Sequence, residues 1–187
     1  MRGRPAEPAV PALFDETRRP TLGFVLHRTY DDQNCSIARA LEIVGERWTL
    51  LIIRDAFEGV RRFDDFQADL GVARNVLADR LGRLCDEGIL RRHRYQERPD
   101  RYEYRLTRKG VGLWPAMMSL LLWGDEHYAV DGSPVVLIHH GCTGRLTPAL
   151  TCSECGVAMG PADVEPRPGP GARPTDRIVR QARDAPA

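Results

Sequence analysis

Residues 72–107 read VARNVLADRLGRLCDEGILRRHRYQERPDRYEYRLT, and two different periods meet inside them. The first half repeats apolar residues every three or four positions, which places Leu77, Leu81 and Leu84 on one helical face. Asn75, Asp79 and Gly82 fall opposite, with Arg74, Ala78 and Arg83 on the flanks, and Gly88 closes the helix. The second half alternates like two strands around a turn at Pro99-Asp100. From Ile89 to Lys109 there are eight Arg or Lys residues against three acids, Glu97, Asp100 and Glu103. The whole chain carries 27 basic and 26 acidic residues, which leaves 19 against 23 elsewhere. A nearly neutral protein therefore gathers its positive charge on one hairpin beside one helix.

Upstream, the folded part begins near Cys35. Ser36 is a candidate cap for a helix in which Ile37, Ala40, Leu41 and Val44 recur at helical spacing. Gly45 interrupts it. A second helix carries Trp48, Leu51, Ile52 and Phe57 and ends at Glu58-Gly59. A short helix fits 64–70, started by Asp64 and stopped by Gly71. Downstream of the hairpin, a long helix is predicted from Thr107 or Arg108 to His127. It is apolar on nearly every side, which suggests burial against a partner chain. Pro115 should remove one of its backbone hydrogen bonds and kink it.

The termini differ from this middle. Residues 1–28 are rich in Pro and Arg and read as a flexible arm; residues 165–187 read as a disordered tail. No stretch has the length of a signal peptide or membrane span, so the expected location is cytoplasmic, with no membrane partner. In that compartment the five cysteines read as thiols or metal ligands rather than disulfides.

The fold class that follows is mainly α with a β-hairpin (α+β), a winged helix-turn-helix with a long C-terminal dimerisation helix. A helix with a leucine core face and Arg74 and Asn75 near its start suits insertion into the DNA major groove. Arg pairs bidentately with guanine and Asn with adenine. Ala78 lies on the same side. Asp79 has two roles open to it, accepting from cytosine or pairing with Arg83 one turn on. Arg80 is placed to meet phosphate. On the hairpin, Arg94 and the tip Arg98-Pro99-Asp100-Arg101 bring guanidiniums to where a DNA backbone passes. A solvated helix face explains the helix alone, but not its conjunction with the basic hairpin.

These features resemble the HxlR-type family of bacterial transcriptional regulators, relatives of MarR-like winged helix proteins. The matching positions are Cys35, Gly45-Glu46-Arg47-Trp48, Phe63-Asp64-Asp65-Phe66, Leu77-Ala78-Asp79-Arg80-Leu81 and Gly88 to Arg92. Pro99 to Thr107 and Trp123 complete them, so the resemblance covers residues 35–130, about half of the chain. It implies a homodimer that binds a pseudo-palindromic double-stranded DNA operator, most often as a repressor. It also implies that Cys35, near a helix start, is a redox or electrophile sensor, since a helix N-terminus lowers a thiol pKa. The bland alternative for Cys35 is a small buried filler.

Residues 131–164 form a small Cys/His segment. His139-x2-Cys142 and Cys152-x2-Cys155 are two close pairs nine residues apart, the spacing of a structural, zinc-ribbon-like Cys3His site for Zn2+. His140 is an alternative fourth ligand, and a redox pair or unmetallated thiols remain open for the CxxC. A zinc enzyme or thiol oxidoreductase would need an open metal position or a general base. Only His127, His139 and His140 are candidates, with no paired carboxylates or phosphate loop beside them. A winged helix used purely for protein interaction would have no need of the eight-residue basic cluster.

Overall fold

A computed structural model describes residues 30, 33–142, 144–147, 149–177 and 179–180. The flexible arm expected at 1–28 lies outside the described residues. Helix α1 (Ser36–Val44) starts with Cys35 at its cap position and Ser36 already inside the helix, with no side-chain capping bond. It ends at Gly45, where a Cβ would stand 2.4 Å from the Leu41 carbonyl oxygen, so only glycine allows this turn. The apolar stripe read from the sequence meets the core only at its C-terminal end, where Val44 packs against it beside Ile43. Ile37 is 71% exposed and Ala38 is the buried residue of α1.

Helix α2 (Arg47–Phe57) buries Thr49, Ile52, Ile53 and Asp55. Helix α3 (Phe63–Leu70) begins one residue before the expected Asp64. Asp64 and Asp65 then occupy its first turn, where negative charge complements the helix dipole. Gly71 takes the left-handed φ of +60° that stops it. Helix α4 (Arg74–Asp86) buries Leu77, Leu81 and Leu84, as their spacing predicts. These leucines close on Ile52, Ile53 and Phe66, all 0–1% exposed. Each such side chain contributes roughly 1.5–3 kcal/mol by leaving water.

Strands β1 (Leu90–Glu97) and β2 (Asp100–Leu106) form an antiparallel pair from Leu90↔Leu106 to Glu97↔Asp100, with a bulge between Arg94 and Gln96. Only Leu90 of β1 is buried, so the hairpin is rooted in the core and projects from it as a wing. The α2–α3 connection adds a third edge. The Tyr104 N–H donates to the Arg61 carbonyl at 2.7 Å, and Arg62 bridges Glu103. The wing is thus fastened to the segment that launches α3.

The expected continuous C-terminal helix is two helices. Helix α5 (Arg108–Val111) is capped by the Thr107 hydroxyl, which accepts from Gly110 N–H at 3.1 Å. Gly110 lies so close to the Ile89 carbonyl that a Cβ would approach it to 2.3 Å. The chain then turns at Gly112-Leu113 into helix α6 (Trp114–Tyr128). Pro115 falls in the first turn of α6, where its missing N–H has no intrahelical partner to lose, so the anticipated kink does not arise. None of α6 is buried, and Leu120 and Trp123 are 51% and 53% exposed.

Beyond α6 lie two short hairpins, bridged at Ile138–Arg145 and Thr151–Ala158, and a 3₁₀ turn at Pro161–Asp163. The tail differs from its compositional expectation over residues 169–177, which lie against the start of α1. Asn34 Nδ2 donates to the Gly171 carbonyl (2.8 Å) and to Asp176 Oδ2 (2.7 Å), and Arg173 N–H donates to the same carboxylate at 2.7 Å. Polar bonds hold this contact, which explains why a composition poor in apolar residues concealed it.

Candidate nucleic-acid interface

The leucine face of α4 fixes what the opposite face must do. With Leu77, Leu81 and Leu84 buried, Arg74, Asn75, Ala78 and Asp79 point to solvent along the first two turns. Arg74 is not loose. Its guanidinium lies 4.6 Å from the Phe63 ring centroid and 3.3 Å from both Asp64 and Gln67 of α3. The stack leaves the side chain 69% exposed, so it is oriented rather than covered.

Arg80 departs from its expected place on the DNA side. It is only 19% exposed and pairs with Glu46 at the start of α2 and with Asp79, both at 3.1 Å. Two carboxylates thus hold it as a tether between α2 and α4. Asp79 accordingly spends one oxygen on Arg80 rather than on Arg83. Arg83 instead donates to the Glu42 carbonyl of α1.

On the wing, Arg94 is ion-paired to Asp100 across the hairpin, which braces the tip. Arg98 and Arg101 are exposed at that tip and make no ion pair among the described residues. Arg92 stacks on Tyr102 at 4.2 Å, and Arg62 on Tyr95 at 5.0 Å. Glu103 is the acid inside this basic sheet. The Arg105 hydrogen bond, then nearby guanidinium charge, holds its carboxyl below the usual range. Arg74 from α4 and Arg101, Tyr95 and Tyr102 from the wing line one cleft of about 460 Å³, together with Arg62 and Phe63. Arg62 is the residue that sequence reasoning missed. The Arg61-Arg62 pair just before the FDDF stretch was its one visible signal.

Cys35 is exposed at the start of α1, with Asn34 and Arg39 beside it and the 169–177 tail opposite. Cys85 sits half-buried against the leucine core, and burial pushes its thiol pKa up. Cys142 Sγ lies 3.4 Å from His139 Nδ1, and the Cys152 thiol is held below its usual pKa by backbone N–H groups of Cys155 and Glu154. Among the described residues no three His, Cys, Asp or Glu side chains converge on one point. The expected ligands therefore stand as two pairs.

Residues 43–131 match the family described as HxlR-like helix-turn-helix. An HTH-type transcriptional regulator of Mycobacterium tuberculosis, Rv3095, is 47% identical over 137 residues, covering 73% of this chain and 87% of that protein. The chain belongs to the HxlR-like family. Two solved structures share this fold. PA1607, a candidate transcription factor, has a TM-score of 0.65 at 34% identity, covering 72% of this chain and 95% of that one. PA1374 of Pseudomonas aeruginosa, also a candidate transcription factor, has a TM-score of 0.56 at 36% identity, covering 79% and 99%. Both coverages exceed the share taken by residues 43–131, so the likeness extends beyond the family segment. This HxlR-like chain is accordingly a transcriptional regulator with a helix-turn-helix DNA-binding fold. Among its described residues no helix is long and apolar enough to cross a membrane.

Proposed function

We propose that this protein is a cytoplasmic, homodimeric repressor that reads a pseudo-palindromic operator and performs no catalysis. The observation that carries the DNA reading is the cleft shared by Arg74 at the start of α4 and Arg101 at the wing tip. A duplex whose major groove receives α4 brings its backbone past that cleft. Arg74 and Asn75 then meet base edges, Ala78 and Asp79 line the next turn, and Arg98 and Arg101 neutralise phosphate. Arg94 supports the tip through Asp100 rather than reaching DNA first.

The dimer is supported by α6. Its unburied apolar side continues into an open groove lined by Phe57, Trp114, Met117, Leu121 and Val135. Arg47 and Arg54 edge this groove together with Glu58, Asp125 and Asp131, so the same surface carries both signs of charge. A two-fold interface needs that self-complementarity. In the dimer the two α4 helices should stand about one DNA turn, roughly 34 Å, apart.

Cys35 is the proposed sensor of oxidants or electrophiles. Its thiol is exposed at the start of α1, and modification there would act on the residues that hold the 169–177 tail. The test is selection of bound fragments from genomic DNA at a stated salt concentration, with and without a quinone. Enrichment of a two-fold sequence, lost on quinone treatment and retained in Cys35→Ser, is expected. Failure to enrich any sequence at low salt would overturn the DNA reading. Enrichment indifferent to quinone would remove only the sensor.

A further inference from the structure

The residues between α6 and the 3₁₀ turn contain two hairpins built on one plan, and each presents a pair of nitrogen or sulfur donors. In the first, His139 N–H donates to the Gly144 carbonyl at 3.0 Å and Cys142 N–H to the His139 carbonyl at 3.2 Å. This turn sets the imidazole beside the sulfur, and Gly144 N–H donates to Cys142 Sγ at 3.3 Å. In the second, Cys152 N–H donates to the Val157 carbonyl and Gly156 N–H to the Cys152 carbonyl, both at 2.9 Å. Gly156 adopts a left-handed φ of +71° directly after Cys155, the conformation a tight CxxC knuckle requires.

The glycines of the first hairpin leave room around its donors. A Cβ at Gly144 would stand 3.2 Å from Cys142 Sγ, and one at Gly141 would stand 3.0 Å from the His139 ring. Little apolar packing holds this segment. Among the described residues of 131–160 none is buried, and Ile138, Leu150 and Val157 are left in solvent. A unit this small without a core needs a staple.

We propose that His139, Cys142, Cys152 and Cys155 bind one structural Zn2+ ion that draws the two hairpins together. Three sulfurs and one imidazole select zinc over calcium or magnesium, which take oxygen ligands. The ten Cα–Cα steps from Cys142 to Cys152 span at most about 33–36 Å when extended, so the linker permits closure without imposing it. Closure brings Ile138, Leu146, Leu150 and Val157 towards one another, which supplies the apolar contact the separate hairpins lack. Binding releases three thiol protons, so affinity falls as pH drops. A site with four protein ligands has no open position, which makes it structural.

The test uses the full chain, reduced and freed of loose metal, with Zn2+ and Co2+ as probes. Native mass spectrometry should show one zinc per chain. Cys152→Ser with Cys155→Ser should lose it, and Cys85→Ser should keep it. Cobalt should give the visible bands of a tetrahedral ion with a thiolate charge-transfer band, weakened by His139→Ala and unaffected by His140→Ala. If wild-type protein with all thiols titratable binds neither ion, the site does not exist. Stoichiometric zinc that survives the double serine change would equally overturn it. A fixed Cys152–Cys155 disulfide that persists under reduction would also refute the metal.

Discussion

Two regions of this chain treat their apolar residues in opposite ways. Between Arg47 and Leu90 they close on one another, and Ile52, Phe66, Leu77, Leu81 and Leu84 are essentially removed from water. Between Trp114 and Ala158 no described residue is buried, although Leu120, Trp123, Val136 and Leu150 are there to be covered. The first region is stabilised by its own packing. The second is left open, and the proposed second chain along α6 and the proposed ion between the hairpins would cover it. The half that reads DNA is thus self-sufficient, and the half that would assemble and regulate is conditional.

The largest expected effects, of similar size, lie in the closed core and on α6. Leu77→Ala should destabilise by about 2–5 kcal/mol through lost transfer energy and a cavity. Leu150→Ala, in the open region, should change stability by no more than about 0.5 kcal/mol in metal-free protein. Urea denaturation of both measures the contrast, and equal losses would erase it. On α6, Leu120→Glu would bury an unpaired carboxylate in the proposed dimer, at a cost of about 3–5 kcal/mol. Sedimentation equilibrium should then find monomers at concentrations where the parent chain is dimeric. A parent chain that is already monomeric would leave the exposed face of α6 unexplained.

The DNA face should give smaller, separable effects. Arg74→Ala or Asn75→Ala should cost about 1–3 kcal/mol for the matching base pair and less for others. An equal loss on every sequence would mean that the pair touches only backbone. Replacing both Arg98 and Arg101 by Ala should weaken all duplexes alike. It should also flatten the dependence of log affinity on log salt by about 2, since each phosphate contact contributes about 0.9. An unchanged slope would take the wing tip off the backbone.

How much of this was legible depended on whether one period or several interactions decided the outcome. The α4 leucine face follows from spacing alone, so Arg74, Asn75, Ala78 and Asp79 emerge where their positions place them; the hairpin does too, but its turn falls at Arg98-Pro99 rather than Pro99-Asp100, because Asp100 pairs with Glu97 in the ladder. The α1 helix was legible from its spacing, but periodicity shows that a face is apolar and not what covers it; Ile37 and Leu41 face outwards. The break before α6 escaped because Gly112 and Pro115 each fit a helix interior weakly, and only their combination favours a restart. Arg80 was misplaced because Glu46, its partner, lies 34 residues away in sequence and reaches it only through the α2–α4 packing. The α4–wing cleft depends on a bond of the same kind, from Tyr104 to Arg61.

The smallest effect concerns the tail, whose residues 169–177 already lie against the start of α1. Asp176 is held below its usual value of 3.8 by the Arg173 N–H and then by the Asn34 side chain. A carboxylate whose pKa falls on docking favours the docked tail above the unfolded value and loses that advantage as pH drops through the docked one. Asn34 side-chain resonances should therefore titrate with a midpoint below 3.8 as the tail releases. Asp176→Asn should loosen the tail at neutral pH and speed trypsin cleavage after Arg177, since the amide carries no charge for Arg173 N–H to stabilise. A neutral-pH variant that resists trypsin as well as the parent would show that the Gly171 contact alone holds the tail. The start of α1, beside Cys35, would then keep the tail whatever the charge on Asp176.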